Sequence, residues 1–415
     1  MQLPLWLSKS LGLLLALITP WLSGMLGMFT NPVDQTPKKV KEQVGGFIAG
    51  VCHPEEDYDM ILDANIGWIR EDIPFPYDLN GNISQHYKDW KAEMKRYVRH
   101  GIKVFAITPY PNKYLGYGLD CRTEEGLKGI QEIAVFLMND LRDIASGFQI
   151  TNEMGVDRFT EPFTLEEAAR FIGVQLEAMY PIRGDVIIGY NLGGPDGVLK
   201  LPPLMKEYHK YCDYVGVDLY FGSFENIVKN INVHLAALKL IRIETKKPVL
   251  MTEFGYIGYG EPKTAAEKKE ILQSYGFDSE EDVRNDVDTF ISRLPPDLKE
   301  EFDEYYANLS DDEKWNLLFK GEYANHIYRE LSEGTGIYGV PHTPEGQATY
   351  FSYLIKEMKS LSWCIGAFIY MWNDSDHCYV CGQKDCPVET GWGIVDGEGN
   401  PKPAYYAVQE AFGAD

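Results

Sequence analysis

One stretch decides how this sequence is interpreted: Gly147-Phe148-Gln149-Ile150-Thr151-Asn152-Glu153, an apolar run that ends on an amide and then a carboxylate. The pattern recurs in Pro248-Val249-Leu250-Met251-Thr252-Glu253-Phe254-Gly255, which again carries a glutamate at the end of a β-type segment. Helical patterns flank both segments. In a parallel α/β barrel, a carboxylate at the C-terminal end of a strand faces the site rather than the core. The two stretches therefore predict Glu153 and Glu253 on one face of a barrel.

Strand candidates alternate with helical patterns along the whole chain, which is typical of parallel α/β folds. The strands are continuous apolar runs, as expected of strands buried on both faces. An open doubly wound sheet would alternate in the same way, but no glycine-rich phosphate loop follows the first strand. We therefore predict a (β/α)8 TIM barrel. The predicted strands are 45–51, 66–70, 101–107, 147–153, 185–190, 214–220, 248–253 and 364–372.

A charged, helix-patterned insertion at 260–335 separates strand seven from helix seven. Several of its helix starts carry N-cap signals, such as Ser279 and Ser310. Its place after a strand puts it on the C-terminal face, as a lid or a cleft wall. The alternative is a solvated insertion that does not contact substrate. We predict one catalytic domain, 41–415, that contains this insertion.

The N-terminal segment, 1–40, is predicted to lie outside the barrel. Residues 11–29 are almost wholly apolar and are followed by a basic cluster at 38–41. This pattern predicts a secretory signal or a membrane anchor, with membrane association through residues 5–29. Pro20 interrupts the run, and no clear small-x-small cleavage site follows it. The alternatives are an N-terminal helix packed over the barrel bottom and a cytoplasmic protein.

The composition excludes some partners. The formal net charge of −23 argues against nucleic acid or an anionic membrane surface as a binding partner. Tyrosine and tryptophan are plentiful, with 27 and 8 residues. Their rings can cover the C–H faces of sugars, although most such residues in any protein belong to the core.

The residues at the predicted strand ends form a set. Asn152 and Glu153 end strand four, Glu253 ends strand seven, Arg70 ends strand two and Trp372 ends strand eight. This set resembles the large clan of retaining glycoside hydrolases built on the (β/α)8 barrel. The resemblance does not assign a family within the clan.

The C-terminal tail is similar to the end of many members of that clan, through Gly391-Trp392-Gly393-Ile394-Val395-Asp396 and Pro401-Lys402-Pro403-Ala404-Tyr405. The resemblance covers roughly residues 45–258 and 343–412. Neither the insertion nor the N-terminal segment has a counterpart in it.

The resemblance implies hydrolysis of a β-linked glycoside with retention of configuration and no cofactor for the chemistry. Glu153 would be the general acid/base and Glu253 the nucleophile, with the two carboxyl groups about 5–5.5 Å apart. Asn152 would hydrogen-bond the sugar 2-hydroxyl group. Arg70 would donate to Glu253 and favour its ionised form.

Further residues would contact the sugar or the acids. Tyr220 would hydrogen-bond the same carboxylate as Arg70, and Trp372 would form the platform under the sugar. His53, after strand one, would bind sugar hydroxyl groups, with a purely structural histidine as the alternative. Asn191 and Asn373 are further candidates at the rim.

The implied substrate is an oligo- or polysaccharide or a small β-glycoside: a β-glucan, a mannan, a xyloside, or a β-glucoside or galactoside. Long loops after strands seven and eight favour a pocket, and hence exo action, over an open endo cleft. Two alternatives stay open, a transglycosylase on the same site and a non-catalytic carbohydrate-binding barrel. The pair of Glu153 and Glu253 argues against the second. A metal-dependent enzyme is disfavoured because no histidine-rich cluster lies at the strand ends.

The cysteines form a second pattern. Of the seven, Cys378, Cys381 and Cys386 lie together in the loop after strand eight. Their C-x2-C spacing suits a structural zinc, with His377 or Cys121 as the fourth ligand. In an exported protein, disulfides are the competing explanation and leave an odd thiol. Free thiols in a reducing compartment are the third.

Overall fold

The computed structural model describes residues 36–223, 229–321, 323–331 and 335–414. Parallel strands pair in chain order and β8 pairs back with β1, which closes a barrel of eight strands. The fold is the predicted (β/α)8 TIM barrel. The strands are β1 Ile48–Cys52, β2 Trp68–Asp72, β3 Lys103–Ile107, β4 Ala145–Ile150, β5 Ile187–Leu192, β6 Tyr214–Leu219, β7 Val249–Phe254 and β8 Cys364–Ile369.

Helices between successive strands cover the outside of the barrel. Several begin at a hydroxyl side chain that accepts a hydrogen bond from the first turn, as Ser84, Thr123 and Thr164 do. The helices outside the insertion are Thr36–Val44, Tyr58–Asp63, Gln85–Arg99, Pro111–Gly116, Glu124–Leu141, Asp157–Thr160, Leu165–Met179, Gly194–Leu204, Val233–Thr245, Pro344–Ser360, Pro387–Thr390 and Pro403–Gly413, with 3-10 turns at Tyr180–Ile182 and His209–Tyr211.

Large aromatic side chains fill the barrel interior opposite glycines. The Phe105 ring lies 5.0 Å from that of Phe368 and 5.6 Å from that of Tyr214, between centroids. A Cβ at Gly50 would lie 2.2 Å from the Phe368 ring, and one at Gly147 would lie 2.4 Å from the Phe105 ring. These glycines are required because the rings occupy the space of a side chain. The interior is therefore a packed core, and a site can form only at its end.

The helix Thr36–Val44 covers the bottom of the barrel. Val40 and Val44 are buried in one cluster with Ile48 of β1, and Lys103 Nζ donates to the Val44 carbonyl at 2.5 Å. The predicted boundary at residue 40 falls inside this helix. The predicted signal or anchor lies in 1–35, outside the described residues. Among the described helices, none is long and apolar enough to span a membrane.

The insertion is a set of short helices with a hydrophobic cluster of its own. Capping boxes at Thr264 and Ser310 start two of the helices. The cluster also takes in Ile257 after β7 and Trp392 after β8, so the insertion is packed onto the C-terminal face of the barrel. Its helices are Ala265–Ser274, Glu280–Arg284, Val287–Ser292, Pro296–Tyr305, Asp311–Phe319 and Ala324–Tyr328.

The predicted strands agree with those of the structure to within three residues at each end. Strand β8 begins at the predicted residue but ends at Ile369, before the predicted end at 372. This early end changes the candidate site.

Candidate active site

Glu253 lies next to the last residue of β7 and is buried. Its carboxylate accepts hydrogen bonds from one residue of β2 and one residue that follows β6. Arg70 Nη1, on β2, donates to its Oε1, and the Tyr220 hydroxyl group, just after β6, donates to its Oε2. Burial, and then the charge of Glu253, raises the pKa of Tyr220, so that its hydroxyl group remains a donor. Donors on both oxygens fix the carboxylate and complement its negative charge. The contacts expected of Arg70 and Tyr220 are present.

Arg70 is fully buried and bonds several site residues at once. Its Nε donates to Gln149 Oε1 at 3.1 Å and its Nη2 donates to Asn152 Oδ1 at 2.6 Å. The carboxylate of Asp218 lies 3.9 Å from Nη2. Burial opposes the charge of the guanidinium, but Glu253 and Asp218 hold the pKa of Arg70 above its usual value. Arg70 is therefore a fixed cation that orients the surrounding side chains.

The side-chain oxygen of Asn152 accepts three hydrogen bonds, from Arg70 Nη2 at 2.6 Å, Gln149 Nε2 at 2.9 Å and Asn191 Nδ2 at 2.7 Å. Because these donors fix the position of the oxygen, the amide NH2 group points the other way. Tyr110, after β3, makes a side-chain hydrogen bond with Asn152. Asn152 therefore presents a donor at the C-terminal end of the barrel.

Asp218, inside β6, is a buried acid of the site that sequence reasoning missed. Its oxygens accept hydrogen bonds from Thr252 Oγ1 at 2.6 Å and Asn191 Nδ2 at 2.7 Å. Burial, and then the charge of Glu253, raises the pKa of Asp218 well above its ordinary value. A carboxylate inside an otherwise apolar strand needs partners, and that was the signal in the sequence.

Glu153 follows β4 in a left-handed backbone conformation with φ of 51°, and Thr151 shares that φ. Such conformations cost on the order of 1 kcal/mol or more in residues other than glycine, so other contacts must maintain them. The Glu153 N–H donates to Asn191 Oδ1 at 2.9 Å, and the Thr151 N–H donates to Thr108 Oγ1 at 3.0 Å. A Cβ at Gly193 would lie 2.5 Å from Glu153 Cβ, so only glycine leaves room there.

Glu153 and Glu253 lie close enough to the same two side chains to affect them electrostatically. Next to the larger effect of burial, the charges of both Glu153 and Glu253 raise the pKa of Asp218 and of Tyr220. Strands β4 and β7 thus direct both acids to one region at the C-terminal end of the barrel. Glu153 is half-buried, whereas the carboxylate of Glu253 accepts hydrogen bonds from two donors. The arrangement can supply a proton donor and a fixed anion to one substrate.

Comparison with known proteins bears on the fold. No protein-family model and no curated protein matches the chain. The chain is similar to the GH53 catalytic domain of Ignisphaera aggregans, with 13% identity, 92% of this chain and 96% of that chain covered, and a TM-score of 0.53. It is also similar to a family 39 glycoside hydrolase from Bacteroides cellulosilyticus WH2, with 16% identity, 87% and 62% coverage, and a TM-score of 0.50.

The chain spans only about half the length of other matches, such as the GH2 β-galacturonidase of Eisenbergiella tayi, of which it covers 50% at 14% identity and a TM-score of 0.47. The chain therefore shares the (β/α)8 barrel fold of the GH53 and family 39 glycoside hydrolases. At these identities the likeness shows the fold, and any activity has to be argued from the residues.

Trp372 does not have the position that the resemblance implied. It is fully buried, and its indole N–H donates to Asp57 Oδ2 at 3.2 Å. Because β8 ends at Ile369, the chain has already turned at Trp372 and directs the indole into the core against Tyr405. Its ring therefore has no free face, and a platform role for Trp372 is wrong.

Tyr370, in the same loop, is an aromatic residue close enough to Glu253 for the charge of that glutamate to raise its pKa, after the larger effect of burial. It directly follows β8 and is only partly buried. Its ring contacts Tyr220 edge-on at 5.7 Å and lies 6.2 Å from His53, between centroids. The ring is thus next to the hydroxyl group that holds Glu253. Sequence reasoning missed Tyr370 because it extended β8 too far.

His53 and Asn373, two residues predicted to contact the sugar, follow the ends of β1 and β8. His53 Nδ1 is 3.5 Å from Glu71 Oε2. Burial alone lowers the pKa of His53, but Glu71, with Asp72 and Glu253, raises it to about 9. His53 is therefore a cation at neutral pH. Asn373 is half-buried, and its Oδ1 has no hydrogen-bond partner among the residues that the structure describes.

The predicted zinc ligands come together with a histidine that the sequence did not suggest. His326, in the insertion helix Ala324–Tyr328, lies against Cys378, Cys381 and Cys386, and all four are buried. His377, one of the two expected partners, is instead exposed and pairs with Asp376.

Cys121, the other expected partner, is buried with the barrel helices rather than with this cluster. Both suggestions for the fourth group are therefore wrong. His326 lies 52 residues before Cys378 in the chain, and the fold brings it from the insertion to the β8 loop.

Proposed function

We propose that this protein hydrolyses a β-linked glycoside with retention of configuration, with Glu253 as nucleophile and Glu153 as general acid/base. The observation that carries the proposal is the clamp on Glu253: Arg70 and Tyr220 each donate to one of its oxygens, while Glu153 lies in the same region. Retaining hydrolysis needs this pair, one carboxyl group ionised and the other protonated.

In the first step, an oxygen of Glu253 forms a bond to the anomeric carbon as the bond from that carbon to the leaving oxygen breaks. Glu153 gives its proton to the leaving oxygen. In the second step, water attacks the anomeric carbon, the bond to Glu253 breaks, and Glu153 takes the proton of that water. The buried Arg70 donates to Glu253 and complements the negative charge of this carboxylate.

Asn152 positions the sugar in this scheme. Its oxygen is occupied by three donors, so its NH2 group is available to the 2-hydroxyl group of the sugar. A hydrogen bond there strengthens as charge develops at the anomeric carbon. Asn191 holds Asn152 and Glu153 in place, because its NH2 group donates to the Asn152 side chain and its side-chain oxygen accepts from the Glu153 N–H.

The insertion and the β8 loop form one side of the entrance. Tyr220 and Tyr370 pack against the hydrophobic cluster of the insertion, so the insertion reaches the wall of the site. An enclosing wall favours a pocket that takes a terminal sugar or a small β-glycoside, with Tyr370 as the aromatic surface. Tyr370 replaces Trp372 in this proposal.

The proposal is tested by incubating the full-length protein with a panel of aryl β-glycosides. Proton NMR of the first product formed distinguishes retention from inversion. We expect release of the phenol and a β-configured sugar as the first product. The α-anomer as first product would contradict the retaining mechanism.

Two further outcomes separate the alternatives. A product extended by an added acceptor sugar, in preference to hydrolysis, would indicate a transglycosylase. Binding of oligosaccharides without turnover of any aryl glycoside or polysaccharide would indicate a non-catalytic barrel.

A further inference from the structure

Four metal-binding side chains meet at the junction of the insertion with the β8 loop. His326 comes from the insertion, and Cys378, Cys381 and Cys386 come from the loop. One candidate ligand atom from each lies within 4.8 Å of the others, and all four residues are buried. His326 Nδ1 lies 3.5 Å from Cys378 Sγ and also 3.5 Å from Cys386 Sγ. One imidazole nitrogen thus faces two thiols.

These distances fit a single tetrahedral ion. With zinc–sulfur bonds of about 2.3 Å and zinc–nitrogen bonds of about 2.0–2.1 Å, tetrahedral angles place sulfur and nitrogen about 3.5 Å apart. An iron–sulfur cluster attaches its protein ligands to different irons and therefore requires a wider spacing. A disulfide would join two of the thiols and leave a third thiol and an imidazole buried without an equivalent role.

The backbone of the loop is shaped to present two of the thiols. The Cys378 N–H donates to the Gln383 carbonyl at 3.0 Å, and the Gly382 N–H donates to the Cys378 carbonyl at 2.7 Å. Gly382 has a φ of 68°, and a Cβ there would lie 2.7 Å from Asp297 Oδ2 of the insertion. A tight turn therefore brings Cys378 and Cys381 to the same side, against the insertion.

We propose that His326, Cys378, Cys381 and Cys386 bind a structural Zn²⁺ that joins the insertion to the β8 loop. The soft sulfur ligands with one imidazole are typical of structural zinc sites with no open position. A closed four-ligand set has no place for water or substrate. The ion would act on folding rather than on the reaction.

The zinc site is connected to the candidate active site through Trp392. The three cysteines and Trp392 belong to one buried cluster. The indole of Trp392 lies 5.2 Å from the Tyr220 ring and 5.7 Å from the Tyr370 ring, between centroids. Loss of the ion would therefore loosen the wall that carries two aromatic residues of the site. Arg329 also pairs with Asp385 of the loop, but the Asp385 side chain is 65% exposed, so this ion pair adds little stability.

The test is the metal content of the full-length protein purified under reducing conditions, measured by inductively coupled plasma mass spectrometry. We expect one zinc per chain in the wild type. His326→Ala and Cys381→Ser should lose it. His377→Ala and Cys121→Ser, which change a histidine and a cysteine outside the cluster, should keep it.

A spectroscopic measurement keeps the proposal testable if a ligand variant fails to fold. Replacement of zinc by Co²⁺ in the wild type should give thiolate-to-cobalt charge-transfer absorption and the visible bands of a tetrahedral ion. Titration with a mercurial reagent should release zinc in step with thiol modification. Wild-type protein that holds no zinc and gives no such bands with Co²⁺ would overturn the proposal, as would stoichiometric iron or a disulfide among the three cysteines.

A structural role predicts a second readout that is independent of activity. Removal of zinc by a strong chelator should lower the Tm and should make the insertion the first segment cut by a protease. Unchanged Tm and unchanged cleavage after complete removal would contradict the proposed link between insertion and loop.

Discussion

At the scale of single residues, the candidate site is organised by one buried cation. Arg70 contacts Glu253, Asn152 and Gln149 and lies beside Asp218, so a single guanidinium orients acids and amides from several strands. Its fork of donors matches this geometry in a way that an ammonium group does not. The strand-end pattern in the sequence was sufficient to find Arg70 and Glu253. It passed over Asp218, because an acid inside an apolar strand indicates only that it needs partners and does not indicate which residues these are.

Replacement of Arg70 by lysine keeps the charge but removes most of its hydrogen bonds. We expect Arg70→Lys to lower kcat/KM about 10²–10³-fold, the usual cost of removing one well-placed donor group at an active site. The measurement is the steady-state kinetic profile of the purified variant. An exposed arginine variant, Arg99→Lys, is the control. An Arg70→Lys profile that matches the wild type would contradict this role.

Substitutions of Tyr370 and Trp372 should have different effects, the first on substrate binding and the second on stability. Tyr370→Ala removes a ring beside the glutamates and should raise KM or lower kcat/KM with little change in Tm. Trp372→Phe alters a fully buried side chain and removes its bond to Asp57, so it should lower the Tm while the remaining folded enzyme keeps its KM. Steady-state kinetics and thermal unfolding of both variants give the comparison. The reverse pattern would restore the platform role to Trp372.

His53 should make stability depend on pH. Its pKa is raised from 6.5 to about 9 in the folded protein. A raised pKa means that the stabilisation is fully present below pH 6.5 and is lost as the pH rises through about 9. His53→Asn tolerates the positive φ of this position. It should lower the Tm more at pH 6 than at pH 9.5, and the exposed His86→Gln should show no such trend. Solvent exposure limits the size of the effect.

At the scale of elements, the barrel depends on pairs of small and large residues on facing strands. Gly147 on β4 gives space to Phe105 on β3, and Gly50 on β1 gives space to Phe368 on β8. Hydrophobic periodicity predicted all of these strands, since the apolar runs and turns are local features. It could not predict which glycine faces which ring, because that depends on register between strands. The early end of β8 was missed for a similar reason, since Tyr370 and Trp372 continue the apolar pattern.

A methyl group at Gly147 should therefore destabilise the barrel by overpacking. We expect Gly147→Ala to lower the free energy of unfolding by about 1–3 kcal/mol. Gly67→Ala is the matched control, because a Cβ there meets nothing within 4 Å. Shortening the opposing ring in Gly147→Ala/Phe105→Leu should recover part of the loss. Chemical denaturation of the four proteins measures this, and equal stability of the two alanine variants would contradict the packing account.

At the scale of the whole molecule, the two ends of the barrel have different roles. The bottom is closed by the helix Thr36–Val44, while the top carries the acids, the insertion and the β8 loop. The (β/α)8 order could be predicted because strands alternate with helices and no glycine-rich phosphate loop follows the first strand. The contact of the insertion with Tyr220 and Tyr370 could not, since it joins segments distant in sequence. Export or membrane anchoring through residues 5–29 stays a prediction.

Two truncations test whether the helix Thr36–Val44 closes the bottom of the barrel. Val40 and Val44 are buried against the barrel interior, so removal of residues 1–44 should expose Ile48 and its neighbours and lower the Tm. Removal of residues 1–35 leaves that helix in place and should preserve the Tm and the activity. Equal loss in both truncated proteins would contradict a sealing role for Thr36–Val44. Fractionation of cells that express each form would test the localisation.

The central claim is that Glu253 is the nucleophile and Glu153 the acid/base, and azide rescue tests it most directly. Azide can enter the space left by either side chain and attack the anomeric carbon from that side. With an activated aryl β-glycoside, Glu253→Ala should lose turnover and give the α-glycosyl azide when azide is added, whereas Glu153→Ala should give the β-glycosyl azide. The exposed Glu207→Ala should behave as wild type. Wild-type turnover by Glu253→Ala, or a β-azide from it, would contradict the assignment.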